Sequence, residues 1–124
     1  MPGHVGLGAH DLEVHPADGH TADGMALWAE WAGVLVCGDY LSPVEIPMLS
    51  PGGSRDAYLA TLERLRPYVE RAAWVVPGHG VPIDGARALA ILNEDAKYLT
   101  TWELPLARRT ATQRKIDAEN RERA

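Results

Sequence analysis

The sequence predicts an α/β fold of the α+β type, one sheet with flanking helices, and three observations predict it. Two apolar runs of strand length, Val34-Leu35-Val36-Cys37 and Ala73-Trp74-Val75-Val76, are bounded by Gly33, Gly38 and Pro77-Gly78, as buried strands are. Between them Tyr58, Leu62, Leu65 and Val69 recur at helical spacing behind Ser54, the stripe of a helix that packs on one side. Beyond the second run, Leu89, Leu92, Ala96 and Leu99 repeat that pattern.

Each element has a local reason. Leu12 and Val14 alternate with polar neighbours until Pro16-Ala17-Asp18-Gly19 breaks the strand pattern. Met25 to Trp31 reads as a strand with Met25, Leu27, Ala29 and Trp31 on one face and Ala26, Trp28 and Glu30 on the other. Both faces of that strand are expected to be largely covered. Gly33 turns the chain into Val34 to Cys37, making a hairpin. Pro43, Pro47, Pro51, Gly52 and Gly53 mark a long loop. Ser54 then caps a helix with Asp56 in its first turn, and Pro67 is expected to kink it or end its regular part early. Asp84 caps the second helix, which Pro105 closes, and a charged, solvated terminal helix runs to the end. The domain division is residues 1–104 as the folded portion and 105–124 as a charged helix or tail.

Length and composition narrow the function classes. With 124 residues the chain is one domain or part of a larger one, and 46% apolar with 23% charged residues is globular composition. No apolar stretch approaches the roughly 18 residues that span a bilayer. The start, Met1-Pro2-Gly3-His4, lacks the basic and apolar regions of a secretory signal. The lone Cys37 fits a reducing, cytoplasmic setting. Residues 1–106 carry six basic and fourteen acidic side chains, a net −8, whereas residues 107–124 carry six basic and three acidic, a net +3. An acidic body argues against nucleic acid as the main partner.

The candidate chemistry sits at strand ends. His20 lies in Gly19-His20-Thr21 before the Met25 strand, Asp39 in Gly38-Asp39 after one apolar run, and His79 in Val76-Pro77-Gly78-His79-Gly80 after the other. Each polar residue follows a glycine, which allows a sharp turn and close approach to an ion. If the strands are sheet neighbours, two imidazoles and a carboxylate converge on one edge, a donor set suited to zinc, iron or manganese. Taken singly, a glycine-flanked histidine is more often a turn residue than a ligand, and an aspartate after a strand is usually a turn former or helix cap.

In this order and spacing the three motifs, with Tyr58-Leu59-Ala60-Thr61-Leu62-Glu63-Arg64-Leu65 between the second and third, resemble the C-terminal half of the metallo-β-lactamase superfamily over roughly residues 10–100. The flavour is that of the glyoxalase II-like hydrolases. The resemblance implies part of an αββα sandwich, with His20 completing the first metal's histidine set, Asp39 bridging two metals as the catalytic carboxylate, and His79 binding the second. It further implies two zinc ions in the complete domain (iron or manganese being alternatives) and a metal-bound hydroxide acting on an ester, thioester or related bond of a small molecule. Zinc lowers the pKa of bound water to about 7 and polarises the substrate oxygen.

One departure is plain. The family's His-x-His-x-Asp-His signature is absent, and His4, His10 and His15 do not replace it, because their spacings are six and five. His10 and His15 would point to opposite faces of a strand. The chain is therefore expected to be a truncated frame, a cloned piece or half of a split protein, whose partner is the missing N-terminal half or a second copy. Two classes stay open: a hydrolase half, inactive alone, or a non-catalytic remnant or interaction module. Cys37 reads as a small buried hydrophobe. Asp18 and Asp23 are either orienting partners of His20 or acidic turn residues. Tyr40, Trp28 and Trp31 read as packing residues, and no motif assigns Glu45 a role.

Overall fold

The computed structural model describes residues 3–105 and 108–123, apart from the side chain of Leu7. Met1, Pro2, Leu106, Ala107 and Ala124, which the readings of the chain start and tail include, lie outside the described residues. Six strands form one sheet in sequence order: β1 (Gly3–Leu7), β2 (His10–Pro16), β3 (Met25–Ala29), β4 (Val34–Gly38), β5 (Trp74–Pro77) and β6 (Ile83–Asp84). All neighbours are antiparallel except β4 and β5. That parallel pair needs a crossover, supplied by helix α1 (Arg55–Arg71). Helices α2 (Gly85–Thr101) and α3 (Ala111–Arg123) follow. No helix of the described residues is long and apolar enough to cross a membrane.

The helices sit on one face of the sheet. Ala26, Trp28, Leu35 and Val75 point into a core with Leu62, Leu65 and Val69 of α1 and Ala88, Ile91 and Leu92 of α2. Burying one such large side chain stabilises by about 1.5–3 kcal/mol. The predicted α1 stripe, Tyr58, Leu62, Leu65 and Val69, is buried throughout. Ser54 and Asp84 cap as expected, accepting from the backbone N–H of Ala57 and Arg87. Gly33 makes the predicted hairpin turn at φ +64.

Several local expectations are corrected. Strands β1 and β6 lie outside the predicted elements: β1 carries two glycines and a histidine, and β6 is two residues long. Strand β3 ends at Ala29, so Trp31 lies in the turn, 54% exposed and stacked on His10 at 4.3 Å between ring centroids. The strand's two faces are not both covered, since Met25 is exposed. Pro67 does not end α1, which runs on to Arg71. The carbonyl that loses its helical partner belongs to Glu63, four residues back, an exposed residue. Helix α2 ends before Pro105, at Trp102 in the left-handed conformation with φ 60.

The terminal helix is not simply solvated. Arg108, Gln113 and Asn120 are buried although the surrounding segment is charged. Arg108 Nη2 lies 2.8 Å from Asp95 Oδ1 and 3.1 Å from Glu94 Oε2, which ties the segment to α2. Burial pushes the Asp95 carboxyl up to about 7, against the pull of Arg108 in the other direction.

Candidate metal centre

The topology decides which chain ends meet. Strands β4 and β5 are parallel neighbours, so the residues that follow them emerge at the same sheet edge. Strand β3 runs antiparallel to β4, so the loop that precedes it arrives at that edge too. His20, Asp39 and His79 are in those three places. Asp39 takes His20 Nε2 at 3.3 Å from Oδ2 and His79 Nε2 at 3.4 Å from Oδ1. The structure brings the three predicted residues together, one imidazole on each carboxylate oxygen.

Two glycines make that approach possible. Gly19 has φ +126, and a Cβ there would lie 2.4 Å from the Tyr58 Cα, so only glycine lets the His20 loop pack on α1. Gly38 has φ +57, and its carbonyl accepts from Gly78 N–H at 2.5 Å. A Cβ on Gly78 would come within 3.0 Å of that oxygen. The turns bearing Asp39 and His79 are thereby locked side by side.

His20 is the most enclosed of the three, with 16% of its side chain exposed against 48% for Asp39 and 56% for His79. Its Nδ1 lies 2.7 Å from the Met48 carbonyl oxygen. A carbonyl only accepts, so Nδ1 carries a hydrogen, and the ring turns Nε2 toward Asp39. That places the second ring nitrogen 3.3 Å from a carboxylate oxygen. A carbonyl partner on the far ring nitrogen is the usual support of a metal-binding histidine.

Sequence reasoning missed two contributors. One is that Met48 carbonyl, a backbone group that no side-chain pattern can signal. The other is Glu45, whose Oε1 lies 3.6 Å from His79 Nδ1. Asp18 and Asp23 do not orient His20: Asp18 pairs with Arg64 at 2.8 Å, and Asp23 is exposed. Tyr40 is a packing residue, stacked on Tyr58 at 4.2 Å with its hydroxyl donating to the Asp18 carbonyl. Cys37 is buried and donates to the Tyr40 carbonyl at 3.0 Å. Burial pushes its thiol up to about 12, which keeps it neutral and unreactive.

Among the described residues, no group of three or more His, Cys, Asp or Glu is gathered to hold one metal ion. The reason is visible in the trio: the imidazoles take opposite oxygens of Asp39 and do not share a centre. A shallow cleft of about 60 Å³ opens beside His20 and Asp39, lined also by Thr21 and Met25. His4 and His10 are exposed on β1 and β2, and His15 lies against Glu13 and Tyr68, all away from the trio.

The sheet thus presents two histidines and an aspartate together at one edge, beside its parallel strand pair. The model of the metallo-beta-lactamase superfamily matches residues 3–79, and the chain belongs to that superfamily, whose members are hydrolases that generally bind metal ions. Among solved structures it is similar to the inverting sec-alkylsulfatase Pisa1 from Pseudomonas sp., with 17% identity, TM-score 0.67, and 80% of this chain covering 17% of that one. A metallo-beta-lactamase family protein from Thermus thermophilus gives 23% identity and TM-score 0.67 over 79% of this chain and 33% of its own. A metallo-beta-lactamase from Pontibacter korlensis gives 23% and 0.59 over 75% and 46%. At these identities the likeness is one of fold. The chain spans less than half the length of each of these structures. No curated protein matches it.

Proposed function

We propose that this chain is the C-terminal half of a glyoxalase II-like, metal-dependent hydrolase that cleaves an ester, thioester or related bond of a small molecule. His20 and Asp39 serve one ion, and Asp39 and His79 the other. The observation that carries this reading is the pair of separations at Asp39, 3.3 and 3.4 Å. Two ligand atoms on one tetrahedral zinc at 2.0–2.1 Å stand about 3.3 Å apart, so the donor set fits. Zinc, or iron or manganese in its place, supplies Lewis acidity and an acidified water.

The chain's own residues supply placement and charge. Asp39 and Glu45 make the edge anionic, and among the described residues neither pairs with Lys or Arg. The Met48 carbonyl holds the His20 ring, and the Gly38–Gly78 contact keeps Asp39 beside His79. A cleft of about 60 Å³ holds water but no substrate of any size, so the substrate's walls belong to whatever covers the sheet. We assign that role to the missing half, or to a second copy, seated on the open apolar face. Lone, buried Cys37 suits a cytoplasmic, reducing setting.

Two ligands per ion, one of them shared, hold metal weakly. Zinc titration of the chain by calorimetry should give weak binding that Asp39→Ala removes; equal uptake by both would sink the assignment. Joined with a segment carrying His-x-His-x-Asp-His, the chain should hydrolyse a model thioester, and Asp39→Ala should abolish that turnover. A second reading, a non-catalytic interaction module, draws on the lack of a three-residue metal group among the described residues. Absence of zinc binding with intact folding and partner capture would favour it.

A further inference from the structure

Helix α3 is held to the body in an unusual way. It has little apolar surface to bury, and its buried residues are the polar Gln113 and Asn120. These stand seven residues apart, on one face of the helix. Both spend their amides on the backbone of the loop between β4 and α1. Gln113 Oε1 accepts from Ile46 N–H at 2.5 Å, and Asn120 Oδ1 accepts from Leu49 N–H at 2.8 Å. Asn120 Nδ2 donates to the Pro47 carbonyl at 2.6 Å, and Arg123 donates to that of Leu49 at 2.7 Å. Ahead of the helix, Arg108 donates to the Glu45 carbonyl at 2.8 Å.

The C-terminal segment thus satisfies backbone groups of residues 45, 46, 47 and 49, on both sides of Met48. The Met48 carbonyl, between them, receives His20 Nδ1–H. The His20 carbonyl in turn accepts from Ser50 N–H at 3.0 Å. A loop with prolines at 43, 47 and 51 has few N–H groups with which to brace itself. Side chains of the C-terminal segment therefore add the support that the loop's own N–H groups do not supply at these positions.

We infer that Gln113, Asn120 and Arg123 are positioning residues of the His20 site: they hold the Met48 carbonyl where it fixes His20 in the Nδ1–H form with Nε2 turned to Asp39. The inference rests on the reading of His20 as a metal ligand for its purpose, but not for its geometry. This gives the polar helix a function that charge alone does not.

The test is nitrogen-15 NMR of the His20 ring in the metal-free full chain, with zinc affinity and thermal midpoint measured in parallel. The wild type should show a single Nδ1–H tautomer. Asn120→Ala and Arg123→Ala should shift the ring toward a mixture of tautomers and weaken zinc binding about tenfold, the lower end for loss of a ligand's supporting contact. Arg123→Lys, which keeps a donor for the Leu49 carbonyl, should restore most of the wild-type signature. If Asn120→Ala does not fold, the exposed Arg123 pair still decides. A wild-type ring already averaging between tautomers, or one unmoved by these variants in a folded chain, overturns the inference. A tautomer that responds while no variant and no wild type binds zinc would leave the positioning standing and remove the hydrolase reading.

Discussion

The two faces of the sheet are built from the same strands and nearly the same residue types, yet their fates differ. In β3, β4 and β5 the inward residues Ala26, Trp28, Leu35, Cys37 and Val75 are all buried beneath the helices. Their alternating neighbours Met25, Val36 and Trp74 are exposed, Trp74 by 53%, although they are as apolar. The register places Val14, Leu27, Val36 and Val76 side by side across four strands. Such a continuous apolar row on one face marks a surface made for covering. The contrast teaches that period-two patterning places residues on two faces but does not say which face finds a partner within the chain.

The largest expected effect falls on the covered face. Trp28→Ala should cost about 3–5 kcal/mol in urea unfolding, because it empties a site packed against Tyr68 and Arg71. A loss below about 1 kcal/mol would mean the helix-covered face is not the core.

Next comes the helical layer over that face. Asp95 of α2 is buried with a carboxyl raised to about 7, above its ordinary value of 3.8. Between about pH 4 and pH 7 the folded state therefore holds a proton that the unfolded state has released. Stability should fall as pH rises through that window. Urea midpoints compared with those of Asp95→Asn should show that slope in the wild type and less of it in the variant. Equal slopes in the wild type and Asp95→Asn across this window would mean that the carboxyl is not raised and that Arg108 governs it instead.

The open face should respond little in the isolated chain. Val36→Ser should change unfolding free energy by no more than about 0.5 kcal/mol, while reducing self-association in analytical ultracentrifugation. A cost of several kcal/mol would show that the face is already covered. The smallest effect sharpens the contrast at adjacent positions. Native Cys37 should resist a thiol reagent, whereas a cysteine placed by Val36→Cys should react promptly; equal rates would erase the distinction between the faces.

Much of this architecture is legible in the sequence because its causes are local. The Tyr58-Leu62-Leu65-Val69 stripe, the Ser54 and Asp84 caps and the Gly33 turn each follow from side chains within a few residues of where they act. The Gly-His and Gly-Asp pairs at strand ends are legible for the same reason, and the parallel pairing of β4 with β5 then carries their side chains to one edge. Strands β1 and β6 were not legible, since glycine-rich or two-residue segments become strands only through a neighbour's ladder. Trp31 and Trp28 look alike in sequence, and only the turn after Ala29 decides that one is exposed and the other buried.

By itself, then, the sequence determined the periodicities, the caps and the placing of His20, Asp39 and His79 at strand ends. The tertiary structure alone decided that a charged terminal helix buries Gln113 and Asn120, that Glu45 approaches His79, and that the Met48 carbonyl holds His20. The physical reason is that these contacts join residues far apart in the chain, most of them through backbone groups every residue possesses. Such groups leave no mark in a sequence until folding brings them within hydrogen-bond reach.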